Sequence, residues 1–206
     1  MRFTYEITGE TRAINGVILN RIKALPGNTF ATPGVLGGWI EKEENLSDGA
    51  WVADNACVFG GAVVSGNTLI EDDAQIYGNA KIHGSIGEPL TISWDLKVHG
   101  GEWTETPYYG SGAIWMINIS SPDTVRIGCR DYTFKKWHRS FKAIMRVYRM
   151  EAIDEKGVRE CVEIYNRICH IYGKQKYAVD LNEVLEAYQQ IRTQTALNVI
   201  QALIGS

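Results

Sequence analysis

The chain has 206 residues, 45% of them hydrophobic, and a net charge of −3. This composition indicates a globular protein with a packed core, and the small net charge gives no overall preference for nucleic acid or a membrane surface. No apolar run reaches the roughly 18–20 residues that a membrane span needs, and no signal peptide is recognisable. The four cysteines have no metal-ligand spacing, so we expect reduced thiols, a cytoplasmic location, no metal and no cofactor.

The N-terminal segment, residues 1–45, is predicted to form a β cap on the structure that follows it. Residues 2–7 are strand-like, and Asn15-Gly16 lies between apolar residues at the centre of 13–18. Both central positions of a type I′ turn need positive φ, which Asn and Gly tolerate, so this dipeptide predicts a β-hairpin. We expect the hairpin to cover the first coil of the repeat that begins at residue 46.

A six-residue repeat dominates residues 46–87, which read LSDGAW, VADNAC, VFGGAV, VSGNTL, IEDDAQ, IYGNAK and IHGSIG. Each of these seven hexads begins with Leu, Val or Ile, and six of them have a small residue in fifth place. Glycine, asparagine and aspartate recur in third and fourth place, where they tolerate the left-handed backbone of tight corners. The pattern predicts a left-handed parallel β-helix of about 18 residues per coil, with the first residue of each hexad pointing inward.

The β-helix is expected to extend to residue 103 with about three coils, although Pro89 and Trp94 disturb its register. So few coils bury little apolar surface against the conformational entropy of the ordered chain, and both ends expose unpaired strand edges. Capping segments or oligomerisation are therefore expected, and we predict a homo-oligomer, most simply a trimer.

Stacking the coils about every 18 residues arranges four large outward side chains in two pairs. Trp51 is predicted to lie above Leu69, and Phe59 above Tyr77. Such apolar outer faces are poorly suited to open water, so we expect them to pack on another subunit or on the C-terminal helices.

The C-terminal part is predicted to consist of an irregular connector with short strands, residues 104–132, and a three-helix domain, residues 133–206. Thr133 is a suitable N-cap for the first helix, over about 134–150, whose apolar residues share one face. A second helix is predicted further on, and Asp180 with Glu183 resembles a capping box that opens a third. The chain as a whole is therefore predicted to be of mixed β and α class.

Several N-terminal motifs resemble the YdcK-like hexapeptide-repeat proteins of enteric bacteria and their phages. The motifs are Phe3-Thr4-Tyr5-Glu6, Gly37-Gly38-Trp39-Ile40-Glu41, Asn45-Leu46-Ser47 and the hexads that follow, and they cover roughly residues 1–87. Residues 127–137 also resemble the tail of short phage versions, whereas the rest of the helical region matches none of them. The resemblance implies a β-helical fold and a bacterial or phage origin, and it implies no particular chemistry.

Two histidines are the candidates for catalysis. Hexapeptide-repeat proteins are often acyltransferases, which bind coenzyme A along the coils and place a histidine at a subunit interface. His83 and His99 each precede a corner that contains glycine, where either could act as a general base if a carboxylate oriented it. The few coils favour the other interpretation, a solvated or interface histidine. We therefore expect a non-enzymatic protein, with an acyltransferase that uses acetyl-coenzyme A as the alternative.

Five cations of the first predicted helix follow one another at steps of four, three, four and three, and so lie in one stripe. They are Lys135, Arg139, Lys142, Arg146 and Arg149. Residues 126–149 contain eight Lys/Arg and one Asp, a net charge of +7, whereas residues 41–80 contain eight acids and one lysine, a net charge of −7. The stripe either binds a partner, a host protein or a nucleic acid, or is solvated or paired with acidic coils of its own or a neighbouring subunit.

These features predict an oligomeric interaction protein of the kind that phages and prophages encode as accessory proteins. The β-helix would be its assembly scaffold, and the basic helix would contact a host partner. Inhibition of a host enzyme or of a host defence system is one concrete form of such a function.

Overall fold

The computed structural model describes residues 4–47, 49–111, 115–147 and 154–204. The chain divides into two compact units. Unit 1 consists of Met1–Tyr108 with Asn118–Pro122, and unit 2 of Tyr109–Ile117 with Asp123–Ser206.

Unit 1 begins with an antiparallel hairpin. Strand β1 (Tyr5–Ile14) pairs with strand β2 (Val17–Ala24), and the turn residues Asn15 and Gly16 have φ values of 50° and 83°. Positive φ at both positions is what a type I′ turn requires, so the hairpin turns at the Asn-Gly dipeptide. Strand β2 then pairs antiparallel with strand β3 (Leu36–Ile40), which joins the hairpin to the parallel part of the unit.

The rest of unit 1 is a parallel β-solenoid of about four turns. Its further strands are β4 (Trp51–Val52), β5 (Cys57–Val58), β6 (Val63–Gly66), β7 (Thr68–Ile70), β8 (Gln75–Ile76), β9 (Lys81–Gly84), β10 (Leu90–Ile92), β11 (Lys97–Val98) and β12 (Glu102–Trp103). They stack in three parallel series, β3-β5-β8-β11, β4-β7-β10 and β6-β9-β12. The turns outnumber the three or so expected because parallel stacking already begins at β3, ahead of residue 46.

A column of aliphatic side chains fills the solenoid. Cα partners in neighbouring turns lie 18 residues apart, as in Trp51 with Leu69 (69 − 51) and Cys57 with Gln75 (75 − 57). The first residues of the seven hexads are all buried, with at most 1% of their surface exposed: Leu46, Val52, Val58, Val64, Ile70, Ile76 and Ile82. Burial of each such side chain contributes roughly 1.5–3 kcal/mol, so this column is the main stabilising feature of unit 1.

The spacing changes in the later turns. Thr91 pairs with Leu69, 22 residues earlier (91 − 69), because residues 85–89 form an exposed loop between β9 and β10. The column continues past this loop, since Ile92 and Leu96 are fully buried.

Residues 118–122 close the end of the solenoid. The side-chain amide of Asn118 donates to the Lys97 carbonyl oxygen at 3.0 Å, and the His99 amide donates to the Ser120 carbonyl oxygen at 2.9 Å. Backbone groups at the edge of the last turn thereby gain partners that an open edge would lack.

Four short strands precede the three helices of unit 2. The strands β13 (Tyr109–Ser111), β14 (Met116–Ser121), β15 (Thr124–Ile127) and β16 (Arg130–Thr133) form a sheet in that order. The helices are α1 (Phe134–Val147), α2 (Glu155–Ile171) and α3 (Leu181–Ile204). Among the helices of the described residues, none combines the length and the apolar character needed to cross a membrane.

Polar caps begin the first and third helices. The Thr133 hydroxyl accepts a hydrogen bond from the Lys136 amide at 3.2 Å, and the Asp180 carboxylate accepts one from the Glu183 amide at 3.0 Å. Both caps lie at the residues that the sequence pattern indicates, because an N-cap side chain satisfies an amide that the first turn leaves without a partner.

Aromatic side chains form the core of unit 2. Phe134, Trp137 and Phe141 of α1 are at most 2% exposed, and Tyr165 of α2 is fully buried against them. The Phe141 and Tyr165 ring centroids are 5.4 Å apart, and the Trp137 indole donates to the Val125 carbonyl oxygen at 2.7 Å. One face of α1 is thereby held rigidly, and its other face points away from this core.

Candidate functional site

The predicted ring stack on the outside of the solenoid is present. The Phe59 and Tyr77 ring centroids are 5.2 Å apart with an interplanar angle of 7°, and the His99 ring follows at 5.6 Å from Tyr77. The cover over this face comes from the chain's own hairpin, whose Leu19 is fully buried in a cluster with Phe59. The sequence pattern suggested another subunit or the C-terminal helices as the cover. The sequence pattern did not indicate the hairpin as the cover of this outer face, because no residue pattern within β2 shows that this strand lies over Phe59 and Tyr77.

The second predicted pair, Trp51 and Leu69, lies on neighbouring turns as Cα partners. Trp51 is only 2% exposed, whereas Leu69 is half-buried. A Cβ atom added to Gly37 would lie 2.6 Å from the Trp51 ring, so the absence of a side chain at Gly37 makes room for the indole. Of the four predicted packing residues, Trp51 and Phe59 are therefore buried within unit 1, and Leu69 and Tyr77 keep part of their surface exposed.

Two guanidinium groups lie close to the ring of Trp39, a feature that the sequence did not predict. The Arg12 and Arg21 guanidinium carbons lie 4.5 Å and 5.2 Å from the centroid of its ring. Arg12 also donates to the Asn55 carbonyl oxygen at 2.6 Å. Burial raises the pKa of the adjacent Cys57 thiol to about 11, although Arg12 acts in the opposite direction. The thiol is therefore protonated at neutral pH, and this cluster is a packing arrangement.

His83 lies on the outer surface of the solenoid, on the sheet formed by β6, β9 and β12. Its Nδ1 atom is 3.0 Å from the Ser65 hydroxyl, and both side chains line a cleft of about 340 Å³ together with Trp103. In the part of the chain that the structure describes, no carboxylate is hydrogen-bonded to His83, so the hydroxyl is the group that orients the ring. His99, by contrast, is half-buried beside Tyr77.

An acidic corner runs along the solenoid. Asp54 and Asp72 occupy equivalent positions on successive turns with φ of 50° and 57°, and Glu71 lies beside them. Burial, and then the charges of Asp72 and Asp54, raise the pKa of the Glu71 carboxyl. Within the described ranges, no group of three or more His, Cys, Asp or Glu side chains is arranged to hold a metal ion.

The structure describes only part of the predicted basic stripe. Lys135 and Arg139 are both exposed on α1, one turn apart. The side chains of Lys142 and Arg146, and the whole of Arg149, lie outside the described residues. No ion pair joins Lys135 or Arg139 to an acid of the described residues.

Comparison with known proteins leaves function to be inferred from these surfaces. No protein-family model matches the chain, and no curated protein is significantly similar to it.

Proposed function

We propose that this chain is a non-enzymatic interaction protein in which the solenoid is the scaffold and α1 contacts an acidic partner. The supporting observation is the exposure of Lys135 and Arg139 on a helix whose opposite face is anchored by Trp137 and Phe141. The backbone that carries these two cations is already ordered, so only their side chains lose conformational freedom on binding, and their charges attract an acidic surface at long range. The remaining stripe residues, Lys142, Arg146 and Arg149, would extend the same contact.

The proposal extends to the assembly and the origin of the protein. Its solenoid would be a left-handed hexapeptide-repeat β-helix, capped by the hairpin β1–β2 and assembled as a homotrimer. The motifs shared with YdcK-like proteins support a phage or prophage accessory protein that acts in the bacterial cytoplasm. Its acidic partner would be a host protein, for example an enzyme or a defence protein that the chain inhibits, with a nucleic acid as the other candidate.

Charge reversal on α1 tests this function. The tagged protein would be used to capture partners from bacterial lysate, with protein and nucleic acid identified in the bound fraction. The double variant Lys135→Glu with Arg139→Glu is expected to lose at least tenfold in partner affinity, because two favourable charge contacts become repulsive. The matched control reverses Lys156 and Arg167, two exposed cations of α2, and should bind normally. Equal binding by both double variants would remove α1 from the interface.

An acyltransferase that uses acetyl-coenzyme A is the second candidate function. The observation that favours it is the exposed His83 imidazole, oriented by the Ser65 hydroxyl in a cleft of about 340 Å³. A histidine in such a position can remove a proton from an acceptor hydroxyl or amine. Calorimetric titration with acetyl-coenzyme A tests this candidate. His83→Ala should abolish turnover while coenzyme binding persists, and a protein that binds no acetyl-coenzyme A is not an acyltransferase of this kind.

A further inference from the structure

Unit 2 contains a cleft of about 370 Å³ between α1 and the segment that leads into α3. Pockets for small ligands have volumes of about 300–1,000 Å³, so this cleft matches a ligand at the small end of that range. The residues that matter for its chemistry are His138, Arg139, Phe141, Asp180, Glu183 and Val184.

Hydrogen bonds from two helices hold the wall of this cleft in place. The Asn166 side chain of α2 donates to the Val179 carbonyl oxygen and accepts from the Val179 amide, both at 2.9 Å. From α1, His138 Nδ1 lies 3.2 Å from the Tyr177 carbonyl oxygen and 3.1 Å from that of Ala178. The backbone around the cleft is therefore tied to the helical core without a ligand, so a ligand would meet a preformed site.

The wall contacts also determine what His138 offers. Both neighbours of Nδ1 are carbonyl oxygens, which accept hydrogen bonds, so Nδ1 must carry the proton. In the neutral ring Nε2 is then an acceptor. The Asp180 carboxylate, which uses one oxygen to cap α3, is a second acceptor that lines the cleft.

Opposite charges line the cleft. Arg139 contributes a guanidinium group, and Asp180 contributes a carboxylate. Among the described residues, no ion pair joins Arg139 to Asp180. The cleft thus contains a guanidinium group suited to a carboxylate and a carboxylate suited to an ammonium group.

Apolar side chains complete the lining. Phe141 and Val184, which are 1% and 2% exposed, also line the cleft. A ligand that pairs with the guanidinium group, with the acceptors and with the apolar side chains of the lining carries a carboxylate, an ammonium group and an apolar side chain on a small frame.

From this arrangement we propose that the cleft binds a free α-amino acid with an aliphatic or aromatic side chain. Arg139 binds its carboxylate, Asp180 and His138 Nε2 accept from its ammonium group, and its side chain packs on Phe141 and Val184. This binding site goes beyond the proposed contact of α1 with an acidic partner. Of the cleft residues that the structure describes, only Arg139 belongs to that contact.

Calorimetric titration of the full chain with L-leucine tests the site. N-acetyl-L-leucine lacks the ammonium group and L-leucinamide lacks the carboxylate, while glycine lacks the side chain. Each of the three is expected to bind at least about tenfold more weakly than L-leucine, because hydrogen bonds to charged groups and apolar burial each contribute that much or more. Absence of L-leucine binding up to about 10 mM, the range of a very weak complex, would overturn the proposal. Equal binding of L-leucine and N-acetyl-L-leucine would overturn it as well.

Three variants locate the binding within the chain. Arg139→Gln and Asp180→Asn should each weaken L-leucine binding by about tenfold or more, since each removes one charged partner. Asparagine remains a good N-cap, so Asp180→Asn keeps the start of α3 intact. The control is Lys135→Gln, an exposed cation of α1 outside the cleft, which should bind L-leucine normally. Full affinity in the Arg139 variant would place the amino acid elsewhere. A further outcome is that the unmodified chain binds L-leucine as expected while the variant Lys135→Glu with Arg139→Glu still captures partners normally. That pair of results would support this site and contradict only the proposed function.

Discussion

The Asp72 carboxylate accepts a hydrogen bond from the backbone amide of Trp94 at 2.9 Å, which links two successive turns of the solenoid at the same corner. Trp94 has φ of 62° and Asp72 has φ of 57°, so both adopt the left-handed conformation of that corner. Tryptophan is an unusual residue for this conformation, and its presence makes the repeat hard to follow in the sequence. The hydrogen bond to Asp72 of the preceding turn holds this corner in register, although tryptophan itself does not favour the left-handed conformation.

Relief of strain at this corner should stabilise the protein. The Trp94 side chain is 60% exposed, so much of it contributes little to packing. Trp94→Asn is expected to raise the free energy of unfolding by about 0.5–1 kcal/mol, because left-handed φ costs a bulky residue about 1–2 kcal/mol and costs asparagine less. Urea denaturation measures this difference. Trp94→Val is the matched control: it loses the same ring but keeps the strain, and should be less stable than the asparagine variant. Equal stability of the two variants would contradict the explanation from strain.

A glycine at another corner is required by close backbone approach. Gly66 has φ of 67°, and a Cβ atom there would overlap the Gly84 carbonyl oxygen of the next turn. Gly49 has φ of 83° with no atom within 4 Å of such a Cβ, so it has the same backbone requirement without the contact. We expect Gly49→Ala to cost about 1–2 kcal/mol, from the backbone alone. Gly66→Ala should cost a further 1–3 kcal/mol or so, from overpacking. Thermal unfolding of both variants measures these losses of stability. Similar losses would show that close contact between the turns at Gly66 adds no further requirement for glycine.

Tyr5 should make unit 1 sensitive to alkaline pH. Burial, with Glu43 and Glu44 as lesser causes, raises the pKa of Tyr5 from 10.0 to about 12. The folded protein therefore holds the phenolic proton more tightly than the unfolded chain does. The resulting stabilisation is present below pH 10, the pKa of the unfolded chain, and is lost as the pH rises through about 12.

Tyr5→Phe separates this effect from other alkaline losses. At pH 7 the variant should be less stable by about 1–2 kcal/mol, because it lacks the hydroxyl that donates to the Leu46 carbonyl oxygen at 3.0 Å. The difference should shrink as the pH rises from about 10 to about 12, where the native tyrosine ionises on unfolding. Urea denaturation at a series of pH values measures it. Burial also raises the pKa of Cys57 and Cys169 to about 11. The native chain and the Tyr5→Phe variant therefore both lose some stability in this pH range. A difference that stays constant with pH would contradict the prediction.

Asn166 should be among the most sensitive polar residues of unit 2. Its amide makes two hydrogen bonds to the backbone of Val179, so Asn166→Ala leaves both backbone groups without their partner. The expected cost is about 2–3 kcal/mol in the free energy of unfolding. Asn182→Ala, at an exposed position in the first turn of α3, should change stability by less than about 0.5 kcal/mol. Circular dichroism during thermal unfolding compares the two, and comparable effects would mean that the segment before α3 is held by other contacts.

Local patterns in the sequence were sufficient to determine the solenoid interior, the hairpin turn and the helix caps. Corner residues at every sixth position, the Asn15-Gly16 dipeptide and the N-cap side chain of Asp180 each act on backbone within a few residues. Exposure of Lys135 and Arg139 follows likewise from helical periodicity, since Trp137 and Phe141 occupy the buried face.

Contacts between distant segments were decided only by the tertiary structure. The hairpin covers the Phe59–Tyr77 stack, and two arginines lie close to the ring of Trp39, because β1, β2 and β3 bring residues from separate strands together. The cleft of unit 2 likewise combines Arg139 of α1 with Asp180 at the start of α3. Spacing within one element predicts which residues share a face of that element. Packing between elements determines which faces meet, because that packing depends on the shape and volume of all the side chains between them.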